Sequence, residues 1–291
     1  MSTIEKALAK QKTASTSSEL NADNLNKQEV KTDEKTITPS VEIQKNASNN
    51  QFQLDLEELK SRGYLIDNGT RSSIKDECRQ IKRKILNNAF GKAAKTLNNP
   101  NLIMVSSSKP HEGKTFVSIN LALSIALEQD KTVLLIDADV LRPSLARELG
   151  LPESNGLIEY LLNDEKNISD VIYNTNIDKL KIIPAGEPHH LSNELLASDK
   201  MEALANELAA RYPDRVVIFD TPPLIGVTET LVLSSLMGQA IIVVEESKTP
   251  IEDVKKATEA LNENLAVGLV INKAIRTHKD LYGYYGYGYE K

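Results

Sequence analysis

Hydrophobic and polar positions divide the chain into stretches of different character. Residues 1 to about 50, rich in Ser, Thr, Asn and Lys (TASTSSELNADNLNKQEV, QKNASNNQ), carry few large apolar side chains. Such a stretch buries too little surface to offset the entropy of ordering it, which predicts disorder. Within it, Ser2 or Thr3 is placed to cap a short helix over Ile4–Lys10. From Phe52 the pattern changes. Leu54, Leu56, Leu59 and Leu65 surround a short helix, and the run from Ser72 to Leu97 reads as a longer one, capped by Ser72 or Ser73. Its Ile74, Cys78, Ile81 and Ile85 fall on one apolar stripe. From Asn101 onward apolar runs alternate with helical stretches. LIMVSS, TVLLIDAD, LKIIPA, RVVIFD, QAIIVVEE and AVGLVIN read as strands; Thr115–Glu128 and the long stretch LSNELLASDKMEALANELAAR read as helical. Continuously apolar strands separated by helices predict an α/β fold, a mostly parallel sheet with helices on both faces. Ligands in such folds lie at the carboxyl ends of the strands. The expected organisation is a disordered segment 1–50, a folded domain 51–280 whose residues 51–100 form a helical region, and a tail 281–291.

Charge sharpens this division. Residues 1–100 carry 17 basic and 13 acidic residues, against 18 and 28 in residues 101–291. An acidic body argues against general nucleic-acid binding, which needs clustered positive charge. Cys78 is the one cysteine, so no internal disulfide and no cysteine cluster for zinc or iron–sulfur can form, as expected of a reducing compartment. The first residues, MSTIEKALAK, have no apolar core of a signal peptide. No stretch approaches the roughly 20 apolar residues of a membrane-spanning helix. These features predict a cytoplasmic protein that reaches a membrane only through a partner.

Every candidate for chemistry falls at the end of a predicted strand. LIMVSS runs into Ser108-Lys109-Pro110-His111-Glu112-Gly113-Lys114-Thr115 and then a helix. This fits the phosphate-binding loop G-x-x-x-x-G-K-[ST], with Ser108 in place of the first glycine. Loop amides and the helix N-terminus cradle phosphate, Lys114 neutralises the β- and γ-phosphates of ATP, and Thr115 offers its hydroxyl to Mg²⁺. TVLLIDAD ends in Asp137 and Asp139, which at i and i+2 are expected on one side of the strand and in need of a cation. Arg142 follows, within reach of a phosphate or of these carboxylates. RVVIFD ends in Asp220, placed to hold Mg²⁺ directly or through water. Lys109 is either a solvated loop lysine or one that reaches a neighbour's nucleotide, as a lysine at this spacing does in the MinD/ParA group of ATPases.

The chain ends LYGYYGYGYEK. Five of its nine tyrosines, Tyr282, Tyr284, Tyr285, Tyr287 and Tyr289, lie here among glycines. Glycine at this density opposes a helix and keeps a segment mobile. The cluster suits a row of phosphate acceptors, and alone it suits equally a sticky binding tail.

With all four elements in order, the sequence resembles the bacterial tyrosine kinases, closest to the soluble autokinases of exopolysaccharide and exosortase systems. The resemblance covers about residues 50–291 and includes LDLEEL, ECRQIKR and Pro184-Ala185-Gly186. It implies a P-loop fold of the MinD-like, deviant Walker A group. It implies an ATP site of Ser108 to Phe116 with Asn272, and Mg²⁺ held by Thr115, Asp139 and Asp220. Lys114, Asp137, Asp139, Arg142 and Asp220 form the catalytic set, with Asp137 the carboxylate that receives the tyrosine proton. The five tail tyrosines become phosphorylation sites, used in trans between subunits of a ring. Asp76-x-x-Arg79-x-x-Lys82 stands where the family carries its E-x-x-R-x-x-R oligomerisation motif, with the acid shortened and the last base altered. The implied partners are further copies of the chain, the cytoplasmic end of a membrane polysaccharide chain-length regulator, and a tyrosine phosphatase; nucleic acid is not among them.

Two other readings fit parts of the sequence. Lys109 supports a MinD/ParA-like ATPase, which would release phosphate to water. A nucleotide-binding regulatory subunit without transfer is opposed by the intact Lys114, Asp137, Asp139 and Asp220. An iron–sulfur scaffold of the same fold is excluded by the lack of a cysteine pair.

Overall fold

The structure is a computed structural model that describes residues 50–66 and 73–275. The tail tyrosines and the N-terminal segment lie outside the described residues. An eight-stranded sheet runs β1 (Gln51–Phe52), β4 (Tyr173–Thr175), β5 (Leu180–Ile183), β3 (Thr132–Asp137), β6 (Arg215–Asp220), β2 (Leu102–Ser107), β7 (Gln239–Glu245), β8 (Ala266–Asn272) in spatial order. Neighbours are parallel except β4 and β5. The sheet is thus mostly parallel, as the apolar runs predict. β2 and β6, central in the order, are buried at every position.

The helices are α1 (Leu56–Ser61), α2 (Ser73–Phe90), α3 (Lys114–Ala126), α4 (Leu145–Leu149), α5 (Leu157–Leu162), α6 (Ser192–Leu196), α7 (Asp199–Arg211), α8 (Thr228–Ser234) and α9 (Ile251–Glu259). Two apolar layers sandwich the sheet. One joins α3 and Ile85 of α2 to Ile103, Val105, Leu135 and Ile218; the other joins α7 to Met104, Leu134, Val217 and Phe219. Alternate strand residues feed opposite layers, which is why these runs are continuously apolar.

Three local expectations change. The helix expected from Ser72 to Leu97 stops at Phe90 and resumes as a 3₁₀ turn over Lys92–Thr96. Gly91 sits so close to Asn87 that a β-carbon there would lie 2.4 Å from its carbonyl oxygen. The stripe on α2 buries Ile85 fully, Cys78 and Ile81 in part, and leaves Ile74 41% exposed. The long helical stretch divides into α6 and α7, because the Ser198 hydroxyl accepts from Met201 N–H and caps a new start.

Lys82 corrects a fourth expectation. As part of an oligomerisation motif it should face a neighbouring subunit. It is instead 6% exposed, its ammonium donating to Ser124 O at 3.0 Å and paired with Glu128 at 2.5 Å. It neutralises the C-terminal end of α3 inside the protomer. Arg79 stays outside and pairs with Asp76 at 3.2 Å. Among the described residues, no helix is long and apolar enough to cross a membrane.

Candidate active site

The carboxyl ends of β2, β3 and β6 converge on a cleft of about 870 Å³, within the size range of small-molecule sites. β2 ends at Ser107, and the loop through Gly113 delivers Lys114 and Thr115 to the first turn of α3. Gly113 is required there. Its φ is +95°, and a β-carbon would lie 2.1 Å from Asn272 Nδ2.

The outer side of this loop is clamped by residues far along the chain. Asn272 Nδ2 donates to Glu112 O at 2.9 Å, and Lys273 Nζ donates to His111 O at 2.7 Å while pairing with Glu245 at 2.9 Å. The Glu112 carboxylate accepts from Lys109 N–H at 2.9 Å and from the Thr249 hydroxyl. Lys109, half exposed, pairs with Asp253 of α9 at 2.5 Å. In this state, therefore, Lys109 is tied within its own chain. Glu112 and Asn272, expected at ATP, here shape the loop. Pro110, His111, Gly113 and Phe116 line the cleft, and Ser108 is fully buried with its hydroxyl unpaired.

The inner side assembles the chemistry. Lys114 Nζ pairs with Asp139 Oδ2 at 2.6 Å. Thr115 Oγ1 donates to Asp220 Oδ2 at 2.6 Å, and Ser118 Oγ donates to Asp220 Oδ1 at 3.1 Å. Ser144 Oγ lies 2.7 Å from Thr115 Oγ1. Ser118 and Ser144 were not singled out from the sequence; lone serines in a helix and a loop carry no motif.

Asp137 and Asp139 do not point the same way. β3 ends at Asp137, and the chain turns so that Asp137 Oδ1 accepts from Asp139 N–H at 3.1 Å. Its Oδ2 accepts from Ser144 N–H at 3.2 Å and Leu145 N–H at 3.0 Å. Asp137 is fully buried, while Asp139 lines the cleft and accepts from Arg142 N–H at 3.1 Å. The Arg142 side chain is exposed along the cleft.

Three carboxylates thus surround one ammonium in a dry place. Burial, and then the charge of Asp220, push Asp137 up to about 8. Burial likewise raises Asp220, against the opposing pull of Lys114 and the Thr115 and Ser118 hydroxyls. Burial alone would depress Lys114, but Asp220 and Asp139 outweigh it and hold its ammonium above the usual range. Such a surplus of buried negative charge suits a divalent cation beside Thr115 and Asp220.

A second set of residues reaches the same cleft from the N-terminal region. Tyr64 is buried, its ring 5.2 Å from that of Phe116, and its hydroxyl donates to Glu148 Oε2 at 2.9 Å. Burial and this bond to a carboxylate raise the phenol well above its ordinary range. Arg62 closes on the same carboxylate and donates to Glu148 O at 2.7 Å.

A protein-family profile described as an AAA domain matches residues 100–271. The tyrosine-protein kinase YwqD of Bacillus subtilis is 35% identical over 187 residues, which cover 63% of this chain and 77% of YwqD. The putative tyrosine-protein kinase CapB of Staphylococcus aureus is 30% identical over 219 residues, covering 74% of this chain and 92% of CapB. The kinase domain of the Escherichia coli tyrosine kinase ETK superposes with a TM-score of 0.59 at 27% identity, covering 77% of this chain and 83% of that domain. Several similar tyrosine-protein kinases are much longer, and the chain spans only 22% to 26% of them.

Proposed function

The chain belongs to the bacterial tyrosine-protein kinase family, and we propose that it transfers the γ-phosphate of ATP to the tyrosines of its own C-terminal cluster, from one subunit to another. The observation that carries this reading is the pairing of Lys114 with Asp139 and of Thr115 with Asp220 in one cleft. When bound, ATP supplies the phosphoryl group, and Mg²⁺ neutralises charge on its phosphates. Thr115 and Asp220 would hold Mg²⁺. One hydroxyl and one carboxylate suffice, because magnesium keeps several waters and takes oxygen from phosphates. Lys114, released from Asp139, would contact the phosphates and draw negative charge away from the transferring group.

A tyrosine hydroxyl with a reference pKa of about 10 must lose its proton as it attacks. Asp139 is the carboxylate that faces the cleft, so we assign it the proton. Asp137, fully buried and accepting three backbone amides, holds the turn that presents Asp139, Arg142 and Ser144. The proton thus goes to Asp139 and not to Asp137, to which the resemblance assigns it, and Mg²⁺ is left to Thr115 and Asp220. The proton leaves tyrosine oxygen for Asp139, the new P–O bond forms on that oxygen, and the bond to the ADP leaving group breaks.

Transfer between subunits is part of this reading, and one feature favours it: Asn272, at the end of β8, and Lys273 after it are committed to carbonyls of the phosphate loop. Successive phosphates, each about −1.5 to −2 charges, accumulate on an acidic body and loosen the assembly. We place the enzyme at the inner face of the membrane, recruited by a chain-length regulator and reset by a tyrosine phosphatase, in exopolysaccharide polymerisation and export.

The trans reading is tested by mixing two inactive forms of the pathway. A Lys114→Met chain with an intact tail is incubated with a chain lacking residues 281–291 and Mg·ATP. Phosphotyrosine appearing on the Lys114→Met chain supports transfer between subunits; its absence, under conditions where the unaltered chain labels its own tail, overturns it.

A further inference from the structure

The wall of the cleft formed by the loop and helix after β3 carries more positive charge than the transfer proposed above uses. Arg62, Arg142 and Arg147 all line it, beside only one carboxylate other than Asp139, namely Glu148. That carboxylate is already satisfied. Arg62 bonds both its side chain and its backbone carbonyl, and the Tyr64 hydroxyl donates to it at 2.9 Å. Arg147 touches Glu148 only at 3.4 Å and its side chain is 75% exposed. The exposed Arg142 guanidinium makes no ion pair among the described residues, while its backbone N–H holds Asp139 at 3.1 Å. Arg142, without an ion pair among the described residues, and Arg147, held by one long contact to Glu148, therefore stand on the loop and helix that follow β3, the first of them beside the carboxylate assigned to the acceptor proton. The surrounding body, residues 101–291, is acidic, with 18 basic and 28 acidic residues, so this local excess of positive charge is not a general property of the surface.

The guanidinium fork matches a phosphate dianion in two-pronged hydrogen bonds. In the transfer proposed above Lys114, Thr115 and Asp220 serve ATP and Mg²⁺; Arg142, which the resemblance puts in the catalytic set, then stands with Arg147 toward a second phosphate. The tail supplies one. Its tyrosines, at 282, 284, 285, 287 and 289, follow each other at spacings of two, one, two and two residues. In an extended peptide a residue two positions away lies about 7 Å off and on the same side. This is about the length of an extended arginine side chain, and the Arg142 side chain leaves the backbone where its own N–H bonds Asp139.

We propose that Arg142 and Arg147 form a phosphotyrosine-binding rim, which captures a tail tyrosine already phosphorylated and so presents the tyrosine two residues away to Asp139. Resting on the transfer to the tail proposed above, the rim makes the tyrosine cluster fill in sequence rather than at random. The first phosphate is slow and later ones are faster. Fully phosphorylated tails compete with fresh ones for the same arginines.

The test uses the full chain with all five tail tyrosines changed to Phe as enzyme, and peptides of residues 278–291 as acceptors. Position 287 of the peptide carries Tyr, Phe or phosphotyrosine, and phosphate arriving at Tyr285 is read by mass spectrometry. With the unaltered rim, the phosphotyrosine peptide is expected to exceed the Phe peptide about tenfold in kcat/KM, chiefly through KM. Arg147→Ala should bring that ratio close to one, and Arg147→Lys should keep part of it. Because the ratio compares two peptides on one enzyme, a general loss of activity cancels. Equal use of the two peptides, or a preference that survives Arg147→Ala, overturns the rim while leaving tail transfer standing. No transfer to any peptide overturns the tail reading and the rim with it.

Discussion

At the residue scale, the site holds together through charge that the protein alone does not balance. Asp137 and Asp220 are both raised by burial. A carboxylate whose pKa is higher folded than unfolded binds its proton more tightly in the native state. Between the unfolded value near 4 and the folded value of about 8, the native state therefore holds more protons, and stability falls as pH rises. The melting temperature of the nucleotide-free protein should decline from pH 5 to pH 8 through this site. Mg·ADP should raise it most at the upper end. A scan showing the same magnesium response at pH 5 and pH 8 contradicts the coupling. Lys114→Met should cut phosphate transfer by at least about 10²–10³-fold, the scale for one preorganised electrostatic contact. Lys114, Thr115, Asp139 and Asp220 were legible from the sequence because the aspartates close apolar runs and Lys114-Thr115 close a loop of known spacing after one. The different facing of Asp137 was not legible. It depends on the chain leaving β3 and folding its amides back onto the carboxylate, which the i, i+2 rule for a continuing strand does not anticipate. Tyr64 and Glu148, 84 residues apart, have no local pattern that joins them.

At the element scale, α2 does two jobs that one motif conflated. Lys82 is a packing residue whose ammonium meets Ser124 O and Glu128 at the end of α3, whereas Arg79 is half exposed. Lys82→Ala should therefore destabilise the protomer itself. The cost expected is about 1–3 kcal/mol, less than for a wholly buried pair because Glu128 retains contact with water. Arg79→Ala should leave the melting temperature within about 1 °C, as exposed pairs contribute little. If α2 joins subunits, Arg79→Ala should still shift the sedimentation profile toward smaller species. A Lys82→Ala protein that melts like the parent, but no longer assembles, would restore the outward-facing role. The periodicity of α2 was readable, yet a stripe of apolar positions says nothing of which flanking base turns inward. The strands were readable because burial on two faces makes them continuously apolar; β1 and β4, two and three residues long, are too short to leave such a run.

At the scale of the whole molecule, the phosphate loop is the meeting point of distant segments. Its inner side faces β3 and β6, and its outer side is clamped by Thr249, Asn272 and Lys273 at the approach to the tail. Lys109, which alone would suit an ATPase that reaches across a dimer, is paired with Asp253 of its own chain. Removing residues 281–291 should leave the melting temperature unchanged and abolish self-phosphorylation, since the described sheet and both apolar layers end before that point. Labelling that persists at full level without the tail would place the acceptors elsewhere. The most direct measurement of the central claim is to incubate the purified chain with Mg·ATP and map its phosphates by mass spectrometry beside Lys114→Met. Phosphotyrosine confined to Tyr282–Tyr289 and missing from Lys114→Met is the predicted result. Inorganic phosphate released with no phosphotyrosine, or equal labelling of both proteins, would contradict it.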